Sequence, residues 1–185
     1  MKVGVLALQG DFEAHARAVR SAGADPFEVR TSSELSSADA LIIPGGESTT
    51  IRKLATTYGL LEPLRERAHS ELPIFGTCAG MIACACAITD GDPPIIGVVD
   101  IDVRRNAYGR QVQSFEADID VDGVGAMRAV FIRAPRVERV GENVEVLATH
   151  DGEPVVVRQG PILLAAFHPE LTDDVRLHRL FVGSL

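Results

Sequence analysis

The chain is 185 residues long, with 46% apolar and 24% charged residues, so it can bury an ordinary globular core and is neither disordered nor fibrous. Its formal net charge of −8, with arginines scattered rather than clustered, argues against a nucleic-acid or anionic-membrane partner. Met1-Lys2-Val3-Gly4 leads straight into a short strand-like run, and nowhere do about 18 apolar residues run uninterrupted, so a cytoplasmic protein is expected.

Val3 to Leu8, Phe12 to Ala22, Pro26 to Val29 and Ala40 to Ile43 alternate apolar runs with amphipathic stretches, the rhythm of βαβ units. Leu41-Ile42-Ile43 and Pro73-Ile74-Phe75 are apolar on successive residues, as strands covered on both faces must be, so a mainly parallel sheet flanked by helices follows. Ligands gather at the carboxyl edge of such a sheet. Helices are expected at Thr49 to Thr57, Leu60 to His69 and Ala79 to Ala87.

After Pro93-Pro94 the pattern changes to shorter alternating strands, around Val98 to Val103, Val112 to Asp118, Val130 to Arg133, Val144 to Thr149 and Val155 to Arg158. Asp151-Gly152 is a hairpin signal between the last two. A buried run, Ile162 to Phe167, and a helix from Asp174 to Val182 close the chain. With no linker or repeat, residues 1–185 read as one α/β domain with an antiparallel excursion in its second half.

Pro73-Ile74-Phe75-Gly76-Thr77-Cys78-Ala79-Gly80-Met81 joins an apolar strand, a Gly-x-Cys-x-Gly core and a helix-forming sequel. This is the pattern of a nucleophile elbow, in which flanking glycines leave room for a sharp turn and the middle side chain projects from the sheet edge. The following helix favours thiolate over thiol, and its N–H groups can hold an oxyanion. Taken alone the motif also suits a small buried cysteine, the reading given to Cys84 and Cys86 in the Ala-rich helix. Three closely spaced cysteines and dispersed histidines fit neither a disulfide framework nor a zinc site.

Phe167-His168-Pro169-Glu170 follows the last buried strand and so reaches the same edge. Pro169 holds His168 out of the helical region, and in extended chain residues two apart share a side, so Glu170 can accept the Nδ1 proton of His168. Nε2 then faces the thiol, giving a nucleophile, a base and a carboxylate that sets the tautomer.

Two further loops end strands at this edge: Leu8-Gln9-Gly10-Asp11, and Ile43-Pro44-Gly45-Gly46-Glu47-Ser48-Thr49. The second lacks the Lys and spacing of a P-loop; its amides can complete an oxyanion hole, or it is a plain turn with Ser48 as helix cap. Arg105 and Arg133 can bind a substrate carboxylate in fork geometry, although a solvated surface arginine is the commoner role for either alone.

These segments resemble the glutaminase subunits of pyridoxal 5′-phosphate synthase, within the triad-type (class I) glutamine amidotransferases. The resemblance spans essentially the whole chain. It is carried by Gly4 to Asp11, Pro44 to Thr50, Gly76 to Met81, Arg105-Asn106 with Gly109-Arg110-Gln111, Phe131 to Pro135, and Phe167 to Thr172. It implies a three-layer, flavodoxin-like class I glutamine amidotransferase fold, with Cys78 as nucleophile, His168 as acid-base and Glu170 as its orienting partner. It further implies that Gly46, Glu47, Ser48, Arg105, Ile132 and Arg133 contact L-glutamine, and Gly46 and Ala79 amides are candidates for the oxyanion hole. No cofactor or metal is implied. The partner implied is the synthase subunit that builds pyridoxal 5′-phosphate from ribose 5-phosphate and glyceraldehyde 3-phosphate. Because glycine-rich backbone reorients cheaply, the Gln9-Gly10 and Gly45-Gly46 loops are expected to gate the site until that subunit docks.

Ala83-Cys84-Ala85-Cys86 departs from the bulkier aliphatics expected behind the elbow, which bears on packing there and not on the triad. Three other readings of the residues stand beside this one: the amidotransferase of another synthase, a different cysteine hydrolase such as a peptidase or deglycase-like protein, and a non-catalytic scaffold.

Overall fold

The computed structural model describes residues 1–70, 72–105 and 114–185. The expected segment Asn106 to Arg110, and the start of the strand placed at Val112, lie outside the described residues. In chain order the first half comprises β1 (Lys2–Leu6), α1 (Phe12–Ser21), β2 (Asp25–Val29), α2 (Ser32–Ser36), β3 (Ala40–Ile43), α3 (Ser48–Thr57), α4 (Leu61–His69), β4 (Ile74–Thr77) and α5 (Ala79–Cys84). There follow β5 (Ala85–Ile88), β6 (Val99–Arg104), β7 (Ser114–Val121), β8 (Gly125–Ile132), β9 (Arg136–Val140), β10 (Glu145–His150), β11 (Glu153–Gln159), β12 (Ile162–Ala165), a 3-10 turn (Pro169–Leu171) and α6 (Arg176–Gly183).

Seven strands form the main sheet in the order β10-β11-β12-β4-β3-β1-β2. The pairings from β12 to β2 are all parallel, whereas β10 and β11 add an antiparallel edge. Every residue of β3, β4 and β12 is buried, as strands with helices on both faces require. Phe75 and Thr77, two apart on β4, point toward α1 and α6, where Phe75 meets Phe181 at 5.6 Å between ring centroids. Gly76, between them, points the other way, toward α5. A Cβ at Gly80 would run into the Ile43 carbonyl, so glycine lets α5 lie directly on β3 and β4.

Because the parallel strands run the same way, the loops after β1, β3, β4 and β12 emerge at one edge. The antiparallel excursion supplies a cover. β7 and β8 form a hairpin, with Phe115 stacked on Phe131 at 4.6 Å, and β5, β6 and β9 form a small sheet of their own. The His168 amide donates to the Val130 carbonyl at 2.9 Å, tying β8 to the loop after β12.

Several local expectations are corrected. The helix after the elbow stops at Cys84 rather than Ala87, because Ala85–Ile88 pairs in parallel with β6. Cys84 is buried as expected, but Cys86 is exposed on β5 and not embedded in a helix. Helix α3 is capped by Glu47, not Ser48, which is its first residue.

Candidate active site

Strand β4 runs into α5 through Cys78, whose backbone stands at φ 48°, ψ −103°. A non-glycine residue there is strained, and such strain persists only where the surroundings hold it. The holding groups are visible: the Cys78 amide donates to the Ala165 carbonyl at 2.8 Å, and Gly76 and Gly80 clear the space on either side. The residue is 4% exposed, and the Ile132 carbonyl lies 3.8 Å from Sγ. Ala79, next in the chain, opens α5, where N–H groups have no intrahelical acceptor.

His168 arrives from β12 with φ −109°, ψ 85°. Its Nδ1 donates to Oε1 of Glu170 at 2.7 Å, the contact expected from the two-residue spacing, although Glu170 sits in a 3-10 turn and not in extended chain. The His168 side chain is 12% exposed and that of Glu170 1%. Burial opposes a charge on His168, but hydrogen bonds and fields from Cys78 and Glu170 outweigh it and raise the imidazole to about 10. Burial likewise disfavours ionised Glu170, and the His168 hydrogen bond overcomes it, leaving the carboxyl below its ordinary value. Gly45 fits between the two chemistries: a Cβ there would strike the His168 ring and lie 3.2 Å from Cys78 Cβ.

A cleft of about 150 Å³ opens over these groups, lined by Gly46, Glu47, Ser48, Cys78, Ile82, Arg105, Ile132, Arg133 and His168. All six residues expected to touch substrate therefore border one cavity with the thiol and imidazole. Sequence reasoning missed Ile82, whose signal is its place one helical turn after Cys78.

Two of the six are already engaged. Glu47's carboxylate accepts from the amides of Thr49 and Thr50 at 3.1 and 2.8 Å and from both their hydroxyls. Its partial burial opposes the charge, yet these bonds pull its pKa down to about 2. The carboxylate is thus turned to the start of α3, and what Glu47 offers the cleft is backbone. Arg105 is gripped by Asp90 at 2.9 Å and Asp92 at 2.6 Å, which fixes the guanidinium at the rim. Arg133 holds the left-handed value φ 43° just after β8 and is exposed. The Gln9 side chain reaches over the neighbouring loop and accepts from the Glu47 amide at 2.7 Å.

Among the described residues no group of three or more His, Cys, Asp or Glu side chains is arranged to hold a metal ion, and no helix is long and apolar enough to cross a membrane.

A parallel α/β sheet with a cysteine elbow and a histidine–glutamate loop at its carboxyl edge is the fold of the class I glutamine amidotransferases. A crystal structure reported as "glutamine amidotransferase" superposes with a TM-score of 0.93 at 52% identity, over 98% of this chain and 97% of that one. The chain belongs to the SNO glutamine amidotransferase family, whose model matches residues 5–185. Similar relatives include the pyridoxal 5′-phosphate synthase subunit PdxT of Parafrankia sp. strain EAN1pec, 59% identical over 98% of this chain and 91% of the relative. That of Mycolicibacterium smegmatis is 56% identical over 99% and 98%. The structure of PurLQS from Thermotoga maritima, 14% identical with a TM-score of 0.76 over 98% of this chain and 97% of that one, shares the fold alone.

Proposed function

We propose that this chain hydrolyses L-glutamine to L-glutamate and ammonia through Cys78, His168 and Glu170, and hands the ammonia to the synthase subunit of a pyridoxal 5′-phosphate synthase. The observation that carries the chemistry is the strained Cys78 turn facing His168, whose other nitrogen is bound to buried Glu170. The choice of partner rests on the relatives at 56–59% identity that bear the synthase-subunit name.

The geometry suggests the order of events. Glutamine enters the cleft with its carboxylate toward Arg105 and Arg133 and its backbone against Gly46, Glu47, Ser48 and Ile132. Cys78 Sγ attacks the side-chain amide carbon, and the carbonyl electron pair moves onto oxygen, where the Ala79 and Gly46 amides receive it. An imidazole raised to about 10 carries its proton at neutral pH, so His168 can give that proton to the departing nitrogen as the tetrahedral adduct collapses.

The product of that step is a γ-glutamyl thioester, in which sulfur no longer bears charge. One of the influences that raised His168 has then vanished, and the ring, now neutral, is free to take a proton from the attacking water. One group thus serves as acid in the first half and base in the second without moving, while Glu170 keeps its tautomer fixed.

The test is glutamate release by the purified chain, with and without the synthase subunit, using Cys78→Ala as control. The reading expects release that depends on Cys78 and is stimulated by the partner. No release with a competent partner would refute it and favour a different cysteine hydrolase or a scaffold.

A further inference from the structure

Two buried histidines take no part in these steps. His15, on the inner face of α1, and His178, on α6, are both completely buried. Nδ1 of His15 lies 3.0 Å from Nε2 of His178. Nε2 of His15 lies 3.2 Å from Oγ1 of Thr77, the residue before Cys78, and 3.3 Å from Oε2 of Glu170. Phe75 presents an edge-to-face contact to each ring, at centroid distances of 6.4 and 5.3 Å, which holds both ring planes.

Glu170 Oε2 has no hydrogen bond of regular geometry among the described residues; His15 Nε2 lies 3.3 Å from it, while the regular hydrogen bond of that nitrogen is to Thr77 Oγ1. The other Glu170 oxygen receives the His168 proton. An ionised carboxylate only accepts. A bare imidazole lone pair set against it in a dry interior would repel it, so the His15 proton sits on Nε2. Neutral His15 then offers only a lone pair at Nδ1, which requires His178 to carry its proton on Nε2. The reverse arrangement would leave a buried N–H at His178 Nδ1, an atom without a partner among the described residues, as well as a repulsive contact at Glu170.

We propose that His15 and His178 are positioning residues of the catalytic site: His178 donates to His15, and His15, anchored on Thr77 Oγ1, turns the positive end of its Nε2–H toward the second oxygen of Glu170, so the carboxylate is steadied from both sides with His168 aimed at Cys78. At 3.3 Å the His15 N–H dipole acts on the carboxylate through space in a dry interior, without the alignment of a full hydrogen bond. The ionisable groups acting on His15 are Glu170 from the 3-10 turn, His178 from α6 and His168. Burial, the dominant influence on both rings, lowers His15 to about 3 and His178 to about 4. At working pH they act as oriented neutral dipoles. This inference rests on the glutaminase reading.

The experiment has two arms. Glutaminase kinetics of the full chain with its synthase partner are followed from pH 4 to 10 for wild type, His15→Leu and His15→Gln. The tautomers of wild-type His15 and His178 are read by nitrogen-15 NMR without substrate. Loss of the N–H dipole beside a buried carboxylate lowers kcat about 10- to 100-fold, leaves KM for glutamine within about twofold, and moves the acid limb up by about one pH unit as Glu170 becomes harder to ionise. His15→Gln, whose amide nitrogen reaches the place of Nε2, recovers most of kcat and returns the limb.

NMR is expected to show both rings neutral with the proton on Nε2 at pH 7. An active wild type matched by His15→Leu in kcat and acid limb would overturn the proposal, as would a protonated Nδ1 on His15. A wild type that fails to release glutamate with a competent partner would overturn the glutaminase reading instead. The tautomers still decide the histidine arrangement in that case, and also if His15→Leu does not fold.

Discussion

Lowering the pH from 7 to 5 is expected to remove about 3 kcal/mol of folding stability net, two buried histidines costing about 4 kcal/mol and His168 returning about 1 kcal/mol. His15 and His178 stay neutral in the folded chain down to about 3 and 4 respectively, whereas in the unfolded chain both take up protons below the ordinary value of 6.5. Between these values the unfolded state binds more protons, so stability falls as pH falls. At pH 5 each ring costs about 2 kcal/mol, at about 1.4 kcal/mol per unit below 6.5. This figure barely changes for any folded value at or below about 4.

His168 works in the opposite sense. Raised to about 10, it contributes stability that is fully present below 6.5 and lost as pH rises through 10, and between pH 7 and 5 it gains less than about 1 kcal/mol. Urea titrations at the two pH values read the net loss. With a slope of about 2 kcal/mol/M, the midpoint should drop by about 1.5 M. His15→Gln or His178→Gln should each remove roughly two-thirds of that drop, and the double variant should abolish it. An equal drop in the double variant would refute the assignment of the effect to these rings, since the ordinary carboxylates remain ionised at pH 5.

Other outcomes follow from the site. Cys78→Gly should be more stable than Cys78→Ala by about 1 kcal/mol in a thermal melt, the reverse of the usual order, because both lack the thiol and only glycine relaxes at φ 48°. Gly80→Ala should cost about 2 kcal/mol or more by denaturant titration, since its Cβ meets the Ile43 carbonyl, a backbone atom that cannot swing aside. Glu47→Ala should cost about 1 kcal/mol through loss of the α3 cap. If Arg105 holds the glutamine carboxylate as proposed, Arg105→Lys should raise KM for glutamine about tenfold with kcat nearly unchanged, because that fork would bind ground state and transition state alike.

The sequence carries these features unevenly. Where a short stretch contains its own physical reason, sequence and structure agree. Leu41-Ile42-Ile43 is apolar on both faces and lies in the middle of the parallel sheet. Asp151-Gly152 occupies a two-residue turn with φ of 50° and 81°, a conformation these residues tolerate. The Gly-x-Cys-x-Gly run forms a sharp turn because backbone must approach backbone at Gly80.

Where a partner decides, the stretch alone misleads. Ala85–Ile88 has helical propensity, yet β6 pairs with it and ends the helix at Cys84. Strand β9, Arg-Val-Glu-Arg-Val, has too few apolar residues to stand out and is held by β6. Five-residue α2 is too short for a helical period to show, and its one sequence signal is the capping box of Thr31 and Glu34. His15 and His178 could not be paired from sequence, being 163 residues apart. The visible hint is a histidine among Ala14, Ala18 and Val19 on the buried face of α1.

The central claim is that Cys78 attacks glutamine, and intact-mass and peptide mapping of the chain after rapid quenching with glutamine and the synthase subunit tests it most directly. The account predicts a γ-glutamyl adduct on the peptide bearing Cys78, transient in wild type and absent from Cys78→Ala. Its accumulation when His168 is replaced is not required, since His168 also serves the step that forms it. Undiminished glutamate release by Cys78→Ala, or an adduct on Cys84 or Cys86 instead, would contradict it.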